Sequence, residues 1–278
     1  MRARLLVPIA FMLVAGAASA QKPPAKKEPA KAAAPAVDVK PAIQKIKSGE
    51  EAQIRAGLDD VRIAGAAGAA AAPAIAEALA KGLSLALTTS AIETLGELES
   101  DAGSATLAQY ATHRNPKIRR AAIKSLTRTK GAAAAIAFKH ALGDPDPVVR
   151  GTAASGLGTI KAKDAVPELF LALDHKVNEA AASIGQLCAG DACLELAGRM
   201  GKLPFDVATS GLEPVLFRPV AEVPDDTKVK IVGRIRELGT MEANKFLKDV
   251  QKRWPKDGSA RVKQALDQAV LATSGGAQ

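Results

Sequence analysis

The stretch Leu142-Gly143-Asp144-Pro145-Asp146-Pro147-Val148-Val149-Arg150, continued by Ala153-Ala154-Ser155-Gly156-Leu157-Gly158 and by Ala165-Val166-Pro167-Glu168-Leu169, reads as one unit of a helical repeat. Pro116, Ile118, Arg119, Ala122 and Leu126 stand 31 residues before Pro147, Val149, Arg150, Ala153 and Leu157. A fixed period of this size specifies a solenoid, because one helical hairpin cannot bury its apolar face alone and must stack on its neighbours. The fold class expected is all-α, an α-solenoid (superhelix) of stacked helical hairpins.

Within the unit, Asp146-Pro147 starts the first helix: Asp caps free backbone N–H groups, and Pro at the first helical position needs no donor. Val149, Ala153, Ala154 and Leu157 then share one face, and Gly158 marks the place where the chain is expected to turn over. A second helix is predicted from about Asp164 to Leu173, with Val166, Leu169, Phe170 and Leu173 as its stripe. The same landmark recurs at Leu95-Gly96, Leu126-Thr127, Ile184-Gly185, Gly211-Leu212 and Leu238-Gly239. Residues 84–200 carry the best repeats. Residues 43–83 read as a degenerate N-terminal repeat, with Asp60 on an expected core position. Residues 201–278 read as divergent repeats, with helices over 225–238 and 241–253 and a capping helix over 259–273.

The N-terminus is of a different kind. Arg2 and Arg4, an apolar run from Leu5 to Ala17 and the small residues Ala18-Ser19-Ala20 make a signal peptide over 1–20, too short to span a bilayer that needs roughly 20 apolar residues. Residues 21–42 are almost wholly Ala, Pro and Lys and are expected to form a disordered linker. That linker is either a solvated spacer or a basic tether for envelope polymers. The apolar run from Ile63 to Ala76 contains Pro73 and is expected to be helical without crossing a membrane. These features place the protein in the periplasm or outside the cell.

The net charge of +9 reduces to about +4 on the body once Arg2, Arg4 and the Lys-rich linker are set aside. With one Trp, one Tyr and six Phe, the chain lacks the basic stripe and aromatic platforms of nucleic-acid binding. No nucleic-acid partner is expected.

The run from Leu142 to Leu173 resembles the short HEAT-like repeat of the phycobilin-lyase type. The resemblance implies that Asp146, Arg119 and Arg150 are frame residues, forming polar ladders between stacked first helices, and that the ladder breaks after residue 174, where Asn178-Glu179 stands near the next expected arginine. It also implies a protein-binding role in most relatives and a lyase or iron-dependent hydroxylase role in a few. The hydroxylase kind needs repeated His-Glu pairs, and the chain has none.

Two constellations remain. His113, Asp144 and His175 lie one period apart and would line up along one edge, where a metal site and simple turn residues are the competing readings. Packed helices sit ~8–10 Å apart, whereas ligands ~2 Å from one metal must converge, so the three cannot share one ion and no metal or cofactor is expected. Cys188 and Cys193 flank a four-residue turn in a chain read as exported, which favours a structural disulfide over buried thiols or a redox pair.

The function expected is an exported HEAT-repeat scaffold, monomeric and not an enzyme, that binds a protein or peptide along its second helices. Lys139, His140 and Glu168 are examples of residues facing that partner. The alternatives are a lyase-like metal or cofactor enzyme built on the array, or a structural protein tethered to the envelope.

Overall fold

The computed structural model describes residues 38–129 and 131–274. The expected signal peptide and most of the expected linker lie outside the described residues. Among those described, every regular element is helical, and an isolated bridge joins Met200 and Leu203.

The first hairpin is α1 (Lys40–Lys47) and α2 (Glu51–Ala64), followed by α3 (Ala72–Lys81) and α4 (Leu85–Glu97). Then come α5 (Ser104–Tyr110) with α6 (Pro116–Leu126), α7 (Ala132–Ala141) with α8 (Pro147–Thr159), and α9 (Val166–Asp174) with α10 (Glu179–Leu187). The array ends with α11 (Asp191–Gly198), α12 (Phe205–Phe217), α13 (Asp225–Glu237), α14 (Met241–Arg253) and α15 (Ala260–Ser274). Helices α2, α4, α6, α8, α10 and α12 each pack on the next to form one row. A second row includes α1 on α3 and α5 on α7, whereas α7 and α9 approach each other less closely. Past α10 the second row continues as α11 on α13 and α13 on α15.

Helix starts follow from local chemistry. Asn115 Oδ1 accepts from Lys117 N and Asp146 Oδ1 from Val148 N, both at 2.9 Å, with Pro116 and Pro147 next in sequence. The predicted stripe faces inward: Ile118, Ala122 and Leu126 are fully buried, as are Val149, Ala153, Ala154 and Leu157. Each large side chain of this seam removed from water contributes about 1.5–3 kcal/mol.

Several expectations change. The helical body starts at Lys40, inside the segment assigned to the linker, because Pro41 opens α1 and Ala42 and Ile46 have α2 to pack against. Asp60 is not in the core; it pairs with Lys45 at 2.7 Å at the surface while Ile54, Leu58 and Val61 are buried. The stretch Glu51–Lys81 is apolar and long enough to cross a membrane by length and composition. Gly65, at φ 55°, interrupts it, a 3-10 turn over Gly65–Ala71 follows, and its two helices pack on α1 and α4.

Gly158 is also reassigned. It lies inside α8 rather than at a turn, and a Cβ there would stand 2.7 Å from Ser183 Oγ of α10. Gly185 carries the same logic further: its Cβ would fall 1.9 Å from the Gly211 carbonyl oxygen. At Gly96, Gly158, Gly185 and Gly211 the recurring glycine lets one first-row helix approach the next and reports packing, whereas Gly239, at φ 62° beyond the end of α13, sits at a chain reversal as expected.

Candidate docking groove between repeats

Two successive repeat junctions are held by short turns whose hydrogen bonds repeat with the sequence. Asn115 N donates to His113 Nδ1 at 3.0 Å, and Asp146 N donates to Asp144 Oδ1 at 2.8 Å. Arg119 Nη1 donates to the His113 and Arg114 carbonyls at 3.1 and 3.3 Å, and Arg150 Nη1 to the Asp144 and Pro145 carbonyls at 2.8 and 3.1 Å. His113 and Asp144 therefore do the same work in successive turns: each accepts the N–H two residues on.

The junctions are tied together by charge. Arg119 grips Asp144 with Nε to Oδ2 at 2.7 Å and Nη2 to Oδ1 at 2.8 Å, and both side chains are nearly buried. Burial pulls the Asp144 carboxyl upward, but the Arg119 and Asp146 N–H donors outweigh it and hold the group below its ordinary value. Arg120 pairs with Asp146 at 2.7 Å and lowers that carboxyl too, leaving it ionised while it caps α8. Two repeats on, Arg199 holds Asp174 through Nε and Nη2, each at 3.0 Å, and lies over the Phe170 ring at 4.4 Å.

These contacts occupy much of the expected metal edge. Both Asp144 oxygens are engaged, His113 Nδ1 is occupied as an acceptor, and His113 sits one junction away from the Asp144 turn. No group of three His, Cys, Asp or Glu poised for a metal occurs among the described residues. His175 and Asp144 both line a groove of about 620 Å³ between α7 and α9. Lys139 and Glu168 stand on its rim, paired at 3.1 Å, with Asp164 at 2.9 Å on the same ammonium. Asp164 first, then Glu168, holds the Lys139 ammonium above its ordinary range. His140 is exposed on α7 but does not line the groove. Leu142 and Ala172 form a buried apolar floor, and Leu171 projects with 62% of its surface exposed.

Of the expected frame residues, Arg119 and Asp146 each pair across a junction, whereas among the described residues Arg150 bonds to the carbonyls of its own turn and to no acid. Cys188 and Cys193 are joined by a disulfide, Cα–Cα 5.2 Å, closing the turn between α10 and α11. Arg218, which sequence reasoning overlooked, donates Nη1 to the Cys188 carbonyl at 2.6 Å and so ties α12 to that turn. It lies 30 residues beyond Cys188 in a region with weak repeat spacing, so no periodic signal marked it.

Residues 72–145 match a family model described as HEAT repeats. No curated protein matches the chain. Among solved structures, the chain is similar to the complex of CpcE and CpcF of phycocyanin lyase from Nostoc sp., at 21% identity over 89% of this chain and 100% of that one, with a TM-score of 0.45. Human deoxyhypusine hydroxylase in complex with glycerol gives 15% identity over 85% and 96%, TM-score 0.38. An engineered protein gives 14% over 86% and 99%, TM-score 0.41. Residues 72–145 are thus HEAT repeats, set in an all-α chain of stacked hairpins that forms a HEAT-like α-solenoid.

Proposed function

We propose that this chain is an exported scaffold that docks a protein or peptide partner in the groove between α7 and α9. The observation that carries the reading is the groove itself: an apolar floor of Leu142 and Ala172, an exposed Leu171 beside it, and charged groups around the rim. A concave surface with an apolar base and a few placed polar groups suits a side-chain anchor. Export is supported by the charged, apolar and small-residue blocks of residues 1–20 and by the Cys188–Cys193 disulfide, since such bonds persist in oxidising compartments.

The test is site-specific photo-crosslinking in the producing cell, with a benzoylphenylalanine in place of Leu171 and, as control, of Val148, which is exposed on α8. A discrete protein adduct from position 171 and none from position 148 supports docking. Equal labelling, or no adduct from 171, counts against it. N-terminal sequencing of the envelope-fraction protein should begin at Gln21; a chain retaining Met1 in the cytoplasm would end the export proposal.

A further inference from the structure

We infer that the Arg150 guanidinium anchors a carboxylate from an acidic segment of the docked partner, an inference that rests on the docking reading above. Arg119 and Arg150 are period-equivalent, and each turns Nη1 onto the two carbonyls that begin its own turn. Arg119 then uses its Nε and Nη2 edge to hold both oxygens of Asp144, 25 residues later. The residue 25 positions after Arg150 is His175, which has no carboxylate to offer. Among the described residues no acid pairs with Arg150, and this arginine, period-equivalent to one whose fork holds a carboxylate, lines the groove.

The other charges lining the groove are already matched. Asp144 is held by Arg119 and Glu168 by Lys139; Asp174, next to His175 in sequence, is held by Arg199. Among the described residues Arg150 is the permanent cation lining the groove without a carboxylate partner, so it is this unpaired guanidinium that favours an acidic side chain there. His175 adds a ring nitrogen donor at the same wall. The apolar floor and the exposed Leu171 lie beside the fork, so the segment that fits carries an Asp or Glu next to an aliphatic side chain.

The experiment follows the arginine Nε–Hε resonances of the ¹⁵N-labelled full chain during titration with acetyl-Leu-Glu-Leu-amide, acetyl-Leu-Gln-Leu-amide or sodium acetate. The Glu peptide should shift the Arg150 resonance saturably, with the Gln peptide and acetate weaker by about tenfold or more, the worth of one charge-assisted hydrogen bond. His175→Asp should abolish the response while leaving helix content unchanged, because its carboxylate reinstates the pairing seen one repeat earlier. Equal responses to the Glu and Gln peptides, or an undiminished response in His175→Asp, overturn the assignment. Acetate matching the peptide overturns the acidic segment in favour of a free carboxylate. An adduct at position 171 whose yield is unchanged in Arg150→Gln leaves docking standing and overturns the Arg150 anchor. Loss of that adduct from the wild-type chain counts against docking itself, while the titration still judges Arg150.

Discussion

Arg119 and Asp144 are joined by two hydrogen bonds across 25 residues of sequence, and their side chains retain only 12% and 9% of their exposure. A pair this buried resists the loss of one partner, since the other is left charged and dry. Asp144→Asn should lower unfolding free energy by about 3 kcal/mol, read from urea melts at neutral pH. A variant as stable as wild type would show that the pair contributes nothing to junction stability.

The same pair sets a pH dependence. The folded Asp144 carboxyl titrates below its ordinary value of 3.8, so its stabilisation is complete above that value and is lost as pH falls through the lowered folded pKa. The stability gap between wild type and Asp144→Asn should therefore narrow in acid. A gap that stays constant from neutrality down to the acid transition would contradict the shift.

Gly185 and Gly211 face each other where α10 meets α12. A Cβ on Gly211 would lie 2.2 Å from the Ala181 carbonyl oxygen, a contact with backbone that no rotamer relieves. Gly211→Ala should cost about 3 kcal/mol or more. Gly233, inside α13, meets nothing within 4 Å, so Gly233→Ala should instead stabilise by about 0.5–1 kcal/mol through lower unfolded-chain entropy. Thermal melts of the two variants should move in opposite directions.

These residues also show what the sequence could disclose. Apolar spacing and the Asn115-Pro116 and Asp146-Pro147 starts are local signals, and α6, α8, α13, α14 and α15 fall where they predict. The glycines at 158 and 185 were visible, but their meaning was not, because a close approach depends on the neighbouring helix and a turn such as that at Gly239 does not. Likewise the period places Arg119 and Arg150 in register, yet it does not say which carboxylate each one meets. Arg150 lacks the partner that Arg119 has because His175 stands where the preceding repeat has Asp144, a difference legible only once Asp144 is known to hold Arg119. Residues 40–42 look like linker by composition and become helix because Ala42 and Ile46 bury against α2.

The Cys188–Cys193 disulfide closes a very short loop, and both residues are fully buried. Constraining so few residues in the unfolded chain should stabilise by less than the ~3 kcal/mol of a 15-residue loop. Thiol counting on denatured protein should find no free thiol without reductant and two with it. The Cys188→Ser, Cys193→Ser double variant should remain helical with a modestly lowered melting temperature. A variant that fails to fold would mean that the turn between α10 and α11 cannot form without its covalent closure.

Lys228 is 5% exposed, and its ammonium donates to the Arg218 carbonyl. Burial is the main cause of its lowered pKa; nearby Asp225 opposes the shift and Arg218 adds to it. A lysine whose folded pKa lies below its ordinary value of 10.5 binds fewer protons folded than unfolded between the two values, so stability rises with pH across that window. The charged form is thus a burden at neutrality that its hydrogen bond only partly offsets. Lys228→Met, close in length and apolar, should leave neutral-pH stability equal or higher and should remove the alkaline rise. Urea midpoints of both proteins across the alkaline range check this: a rise that persists undiminished in Lys228→Met would place its origin in another group.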